Sequence, residues 1–540
     1  MNTIFINFSL FLLIIFGNGF FFSKRFLKNN HKINFYEILL LGLVFTVFLS
    51  QLINFFLPLN NFVTSTNILI VFFYLMLNKL QLKNIIFDYK IFVLFLILVL
   101  TQIYGSDFSD DLANYHYGII SNADKINLIW GISFLHDVYG TLPIWLITHS
   151  YLNFEVSLLQ DIHILNGLIL FIFLGLFFTE IKNNHQNNHS SKIILFGIFV
   201  FILIKFTRLK EFGIDRPVVL LFCSLIYYYL KYFILISNDN IRNNFIIVSL
   251  ISILIITIKI TYLPVLIFPI FLLIYYKKYL FVFEKKYFLI FLALLIFILK
   301  NFLSTGCIVY PIQVSCFEFI GWSNLKGAGD LALIAEYFNK SWNLYEGTLT
   351  KSDYISNFNW IETWFNRGST EILELLATTL LAFIITLCTF GFKKIKNDSK
   401  LELSPLIKVL IFIILGSLII YFAKNPSIRM NFHVLISFLV ILLIYFTNLN
   451  FESKYKKRVY FFLILIISFN FYKNINRIYS DNFINDPIKM VSKKIYNPNK
   501  YILNEFVYYT GWYGNSPIGN TILVNKKYEK KLIFQIISKK

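Results

Sequence analysis

The sequence predicts an all-α membrane protein whose helices cross the bilayer about fourteen times. Mean hydropathy is +0.67 and only 14% of the residues are charged, which lies outside the usual range of soluble domains. A span needs about 20 apolar residues, and runs of this kind recur along the whole chain. Such unbroken runs are not typical of a transmembrane β-barrel, whose strands alternate in hydropathy.

The first apolar run, 4–22, is followed rather than preceded by its basic residues, Lys24 and Arg25. We therefore predict a retained first span and not a cleaved signal peptide. The predicted spans are 3–22, 37–57, 62–77, 91–104, 157–179, 193–206, 217–236, 245–259, 263–276, 287–303, 371–391, 405–422, 431–447 and 459–473.

The orientation follows from the basic residues, which cluster in short connections such as KRFLKNNHK, KKIKNDSK and KYKKR. Lys and Arg favour the cytoplasmic side, so this pattern places the N-terminus and three segments outside: loops 105–156 and 304–370 and the tail 474–540. We predict a transmembrane domain over 1–473 in a bacterial inner membrane, with the tail periplasmic. An error of one span would put the tail inside. The net charge of +20 is spread over these connections, so we expect membrane lipids as partners and no nucleic acid.

The first outer loop begins with an acidic stretch, SDFSDDLANYHYGII, at 106–120. Apolar positions recur there at helical spacing: Leu112, Tyr115, Ile119, Ile120 and Ala123. This spacing predicts an amphipathic helix on the outer surface, with Asp110 and Asp111 at its N-terminus. One aspartate suffices as a helix cap. A second, adjacent carboxylate leaves two explanations open, which are capping alone and a catalytic or metal-binding role.

Several motifs resemble the type-C glycosyltransferases, which are polytopic membrane enzymes. They are DLANYH followed by WGISFLHDVYGTLPIW, then TIKITYLP, KNFLSTGCIVYP and NPSIRMNF. They occur in the family's order over about residues 90–440. The chain departs from the family by Met430, where Phe is frequent, and by two adjacent aspartates where one is frequent. The second departure leaves open which aspartate is functional.

The resemblance implies a GT-C-like enzyme that moves a sugar from a polyprenyl-phosphate carrier to a lipid or glycan acceptor on the outer face, with inversion. A carboxylate would accept the proton of the attacking hydroxyl. By its spacing to Tyr115 and His116, Asp111 is the expected base and Asp110 the alternative. Asp215 resembles the family's second acidic position, which orients acceptor or metal, although an N-cap before Pro217 explains it equally well. No cofactor is assigned, and a divalent cation is left open.

The departing lipid phosphate needs cationic partners, and Arg429 is the expected one because guanidinium binds phosphate with two parallel hydrogen bonds. Lys259, Lys300 and Arg208 lie near outer helix ends, where they either bind substrate or extend to the headgroups. His116 and His136 are expected to hydrogen-bond near the acid or the substrate, because no zinc ligand set can be assembled.

The remaining candidates are cysteines and aromatic residues in the outer loops. Cys307 and Cys316 are close enough in sequence for a disulfide in an oxidising compartment. Trp360 and Trp364 suit membrane anchoring or stacking on a sugar.

Two other functions stay open from the sequence. An O-antigen polymerase or ligase also has many spans and large outer loops, but it relies on Arg and His, whereas the first loop here is acidic. A polytopic transporter would favour ionisable residues in mid-span and repeated halves with broken helices, and neither pattern is evident.

Overall fold

The computed structural model describes residues 2–27, 34–83, 85–104, 115–152, 164–182, 189–209, 213–233, 238–277, 285–341, 347–390, 393–394, 404–427, 431–446, 449–450, 455–480, 499–503, 506–510, 526–531 and 534–539. In these ranges the helices are α1 (Asn2–Phe26), α2 (Phe35–Asn54), α3 (Asn61–Leu77), α4 (Lys79–Leu82), α5 (Tyr89–Tyr104), α6 (Tyr117–Lys125), α7 (Ile144–Tyr151), α8 (Ile164–Lys182), α9 (His189–Lys205), α10 (Asp215–Phe233), α11 (Asn238–Ile258), α12 (Ile267–Tyr275), α13 (Phe288–Thr305), α14 (Leu325–Ser341), α15 (Lys351–Ile355), α16 (Ile361–Phe390), α17 (Ser404–Ala423), α18 (Phe432–Phe446) and α19 (Tyr455–Ser480). Short 3₁₀ turns cover Ile132–Phe134, Asp137–Thr141, Ile260–Leu266, Lys285–Tyr287 and Gln313–Ser315.

Eight helices in the described ranges are long and apolar enough to cross a membrane. They are Ile4–Phe26, Phe35–Asn54, Ile164–Lys182, Ile241–Ile258, Lys285–Thr305, Gly368–Phe390, Pro405–Ala423 and Lys457–Tyr479. Shorter apolar helices cover Asn61–Leu77, Tyr89–Tyr104, Ile260–Tyr275 and Phe432–Phe446. Every predicted span overlaps a helix. This is the architecture of an integral membrane protein, because helices satisfy their own backbone hydrogen bonds in lipid.

Strands occur only as short antiparallel pairs in the described part of the chain. They are β1 (Lys393–Lys394) with β2 (Leu449–Asn450), β3 (Asn499–Leu503) with β4 (Phe506–Thr510), and β5 (Lys526–Lys531) with β6 (Phe534–Lys539). Strand β4 lies against α6 and β6 lies against the 3₁₀ turn Ile132–Phe134. The tail therefore contacts the first outer loop.

Ion pairs join residues that the positions of the basic loops predict to lie on the same side of the membrane. On the predicted inner side, Lys182 pairs with Asp88 at 2.6 Å and Lys231 pairs with Glu37 at 2.6 Å. On the predicted outer side, the Lys205 ammonium lies 2.6 Å from a Glu374 carboxylate oxygen. Three pairs of segments therefore meet at ends that the sequence analysis assigns to a common side.

The closest helix contact in the N-terminal part joins α1 and α2 through two glycines. A Cβ on Gly19 would lie 1.9 Å from the Ile38 carbonyl oxygen, and a Cβ on Gly42 would lie 1.8 Å from that of Ile15. Because any side chain would push the backbones apart, small residues are needed at this crossing.

Helix α6 differs from its prediction. It covers Tyr117–Lys125, and Ile119, Ile120, Ser121 and Asn122 are all buried, whereas Lys125 at its end is exposed. The expected surface helix is therefore an internal one, because α7 and strand β4 pack against it. The spacing of its apolar residues predicted a helix. The elements that cover this helix come from other parts of the chain, so the spacing did not predict its burial.

Candidate functional site

The expected site residues divide into described and undescribed ones. Asp110, Asp111 and Arg429 lie outside the described residues. Tyr115, His116, His136, Asp215 and Lys259 are described, as are Cys307 and Cys316.

An ion pair between Asp215 and Lys259 joins the start of α10 to the end of α11, on the side predicted to be outside. Asp215 is the first residue of α10, and Lys259 follows the last residue of α11. The Lys259 ammonium contacts the Asp215 carboxylate directly. The lysine side chain is 9% exposed and the aspartate side chain 43% exposed. Lys259 therefore does not extend to the headgroups, and Asp215 is more than a helix cap.

His116 lies close enough to this ion pair to interact with it electrostatically. The side chain is buried, and neither ring nitrogen has a hydrogen-bond partner in the structure as described. Burial lowers the pKa of His116 to about 4, and the negative charge of Asp215 only partly opposes this shift. The lowered pKa favours the neutral imidazole. The Tyr115 ring packs against it, with 4.3 Å between ring centroids.

Two aromatic side chains that the sequence analysis missed complete this cluster. Tyr262 follows Lys259 in the 3₁₀ turn Ile260–Leu266, and its ring centroid lies 4.1 Å from that of His433. His433 Nε2 is 2.7 Å from the Ser417 hydroxyl. Asp215 is close enough to act electrostatically on Tyr262, and Lys259 on His433. A histidine inside an apolar run is a signal that could have found His433, since such groups need partners.

A chain of ring contacts links the start of α10 to the start of α18. The Arg216 guanidinium lies 5.4 Å from the Phe206 ring centroid. The rings of Phe206 and Phe432 lie 5.8 Å apart. Together with His116 and His433, these contacts bring two distant parts of the chain to the Asp215–Lys259 pair. His116 follows Asp111 by five positions, and Phe432 follows Arg429 by three.

His136 has a structural role apart from this cluster. Its Nδ1 accepts a hydrogen bond from the Val138 amide at 3.2 Å and caps the 3₁₀ turn Asp137–Thr141. Burial lowers the pKa of His136, so the ring is the neutral acceptor that this bond requires. The adjacent Asp137 binds the second outer loop, because it accepts from Asn324 Nδ2 at 3.1 Å. The structure does not bring His136 to Asp215.

Lys300 also joins the two outer loops. It is buried near the outer end of α13 and donates to the carbonyl oxygens of Thr141 and Leu142 at 3.1 and 3.0 Å. Its ammonium therefore does not extend to the headgroups. Thr141 is the last residue of the turn that His136 caps, and Leu142 follows it.

The second outer loop contains a disulfide between Cys307 and Cys316, with the two Cα atoms 3.7 Å apart. This is within the limit of about 7 Å for a bridge. Tyr310 lies inside the closed loop, and its hydroxyl donates to the Asp137 carbonyl oxygen at 3.0 Å. The disulfide loop is thus fastened to the first outer loop.

A second ionic cluster holds the connection that leads to Arg429. Lys340 and Glu336 are both buried and lie 2.6 Å apart on α14, and the other Glu336 oxygen is 2.6 Å from Lys424. Lys340 also donates to the carbonyl oxygen of Ala423 at 3.4 Å, at the end of α17. Glu336 therefore pairs with two lysines, of which Lys424 begins the 424–427 segment.

The two tryptophans proposed for anchoring or sugar stacking pack around the same segment. Trp360 is buried, and the Lys340 ammonium lies 5.1 Å from its ring centroid. Trp364 Nε1 donates to the carbonyl oxygen of Pro426 at 2.8 Å. Trp360 therefore has no free face for a sugar, and Trp364 binds the described 424–427 segment.

The described residues contain no group of three or more His, Cys, Asp or Glu side chains placed to hold a metal ion. Asp110 and Asp111 are not among these described residues.

Comparison with known proteins shows to which family the chain belongs. A family model described as a domain of unknown function, DUF8201, matches residues 1–436. The chain belongs to this family. The match includes α10, α11 and the connection with Arg429, so the family model covers the Asp215–Lys259 pair and both segments that approach it. No curated protein matches the chain, and no solved structure matches it.

The buried ionic cluster generates a stability prediction. Glu336→Gln leaves the Lys340 ammonium buried without its counter-charge, and removing one partner of a buried pair typically costs about 3–5 kcal/mol. We expect a clear fall in the thermal unfolding midpoint of the purified protein in detergent. The matched control is Lys424→Met, because the Lys424 side chain is 72% exposed and such a pair is worth about 0–1 kcal/mol. Equal shifts for the two variants would contradict a buried role for Glu336.

Proposed function

We propose that this chain is a GT-C-like membrane glycosyltransferase that moves a sugar from a polyprenyl-phosphate carrier to a lipid or glycan acceptor. The reaction would take place at the outer ends of about fourteen spanning helices. The observation that carries the proposal is the approach of two distant segments to the Asp215–Lys259 pair. His116 couples electrostatically to Asp215 and His433 couples to Lys259.

The chemistry of this transfer explains why acidic and basic residues are needed together. The acceptor oxygen forms a bond to the anomeric carbon while the bond from that carbon to the phosphate oxygen breaks. The hydroxyl proton passes to a carboxylate, and the electron pair of the broken bond stays on the lipid phosphate. Attack opposite the leaving group inverts the anomeric centre, as in inverting glycoside hydrolysis.

The proposed site residues form two groups. The base side acts on the attacking hydroxyl, and the phosphate side acts on the departing phosphate. On the base side we assign Asp111, with Asp110 as the alternative, and the neutral His116 as a hydrogen-bonding partner of the acceptor. The Asp215 carboxylate, which is half-exposed, orients the acceptor or holds a divalent cation. On the phosphate side we assign Arg429 and Lys259, whose positive charges stabilise the charge that grows on the departing phosphate.

Lys259 is suited to this role because it is held in place. Its ammonium is fixed by Asp215, so it loses little conformational entropy when it binds a phosphate oxygen.

The first test concerns the base. Asp111→Asn keeps the shape and most hydrogen bonds of the side chain but removes its proton affinity. Turnover should fall by about 10²- to 10⁴-fold, the usual contribution of a general base, while donor binding persists. The assay is transfer of labelled sugar from a polyprenyl-phosphate donor in proteoliposomes, at matched protein content.

The control is Asp330→Asn, which removes an exposed carboxylate from the same side of the protein and should leave turnover unchanged. Full activity in Asp111→Asn moves the assignment to Asp110. Full activity in Asp111→Asn and in Asp110→Asn would end the carboxylate-base proposal.

The second test concerns the phosphate. Arg429→Ala removes contacts that act on the bound donor and on the departing phosphate, so donor affinity and turnover should fall together. Loss of a charge-assisted hydrogen bond predicts a decrease of about 10- to 100-fold in donor affinity. Lys326→Ala, which removes an exposed charge from the second outer loop, should change neither. Unchanged donor affinity in Arg429→Ala would contradict the assignment.

A further inference from the structure

The second outer loop exposes large apolar side chains to its surroundings. Immediately after α13, Val314 is 94% exposed and Phe319 is 86% exposed. Ile308 and Ile312 are exposed as well. Glu318 is the only charged residue in 306–323. A loop in water normally carries polar residues at such positions, and a contiguous exposed apolar patch indicates a partner.

This loop is held in one conformation. The Cys307–Cys316 disulfide closes it. Backbone hydrogen bonds run from the Ile308 amide to the Ser315 carbonyl oxygen at 3.0 Å and from the Phe317 amide to the Gly306 carbonyl oxygen at 2.9 Å. The apolar side chains are therefore presented by a preformed surface and lose little conformational entropy when they are covered.

The position of the loop identifies what covers it. Lys285–Thr305 is a spanning helix, and the loop starts at its outer end. Trp322 packs against Trp130, with 5.1 Å between ring centroids, and its Nε1 donates to the Phe302 carbonyl oxygen at 3.1 Å. Tryptophans concentrate at the headgroup level of a bilayer. The exposed apolar residues thus follow directly on the end of a helix long enough to span a membrane.

We propose that residues 306–323 form a membrane-dipping loop, which inserts Val314 and Phe319 into the outer leaflet. The partner is the lipid surface itself, because the loop continues directly from a spanning helix and its exposed face lacks basic or acidic clusters that a charged partner would require. Insertion holds the second outer loop on the membrane, and with it the α14 cluster of Glu336 and Lys340. This proposal does not depend on the glycosyltransferase function.

The test measures how close position 314 is to lipid acyl chains. A fluorescent coumarin amino acid replaces Val314 in the full-length protein, which is then placed in nanodiscs of phosphatidylglycerol with phosphatidylcholine brominated near the top of its acyl chains. Apolar groups of interfacial segments lie about 5–10 Å into the boundary between headgroups and chains, so we expect about twofold quenching relative to unbrominated lipid. The same label in place of Thr348, an exposed position in the second outer loop, should not be quenched.

A second variant separates insertion from mere proximity. Phe319→Asp adds a charge that resists burial in lipid, so it should reduce the quenching at position 314 while the disulfide stays intact. The absence of quenching at position 314 in a protein that retains its disulfide would overturn the proposal. Equal quenching at 314 and 348, or quenching that Phe319→Asp does not change, would overturn it as well.

Discussion

The low polarity of the bilayer interior limits where this chain can keep its charged side chains. An unpaired charge in hydrocarbon is costly, so ionisable residues lie at helix ends or in pairs. Helix α10 shows both solutions, since its first residue, Asp215, pairs with Lys259 and its last turn provides Lys231 for Glu37. The acidic group is at the positive end of the helix dipole and the basic group is at the negative end. Two ion pairs thus hold the two ends of α10.

The position of the candidate site depends on this arrangement. Because α10 and α11 are held at their outer ends by one ion pair, the segments that pack there are held as well. His116 reaches the pair from the first outer loop, and His433 reaches it from the start of α18. The buried Glu336 cluster and Trp364 then hold the connection that leads to Arg429. Two separate ionic clusters therefore define the geometry of one outer surface.

Much of the helical architecture could be predicted from the sequence, because hydropathy and the positions of Lys and Arg are local signals. The lengths of the apolar runs and the short sequence separation of Cys307 and Cys316 are local signals as well. The burial of α6 and of Trp360 could not be predicted, since each is covered by other elements: α7 and β4 pack against α6, and Lys340 of α14 lies over Trp360. Tyr262 and His433 were missed for the same reason, because 170 intervening residues separate two rings that touch.

Binding of polyprenyl phosphate to purified protein in nanodiscs tests the central claim most directly. Two double variants are compared, Asp215→Asn with Lys259→Met at the outer end of α10, and Glu37→Gln with Lys231→Met at its inner end. Each removes a whole ion pair, so neither leaves an uncompensated charge. If the outer pair forms part of the donor site, the outer variant should bind about tenfold more weakly, a loss of about 1.4 kcal/mol, and the inner variant should bind normally. Equal affinities in the two variants would contradict the account.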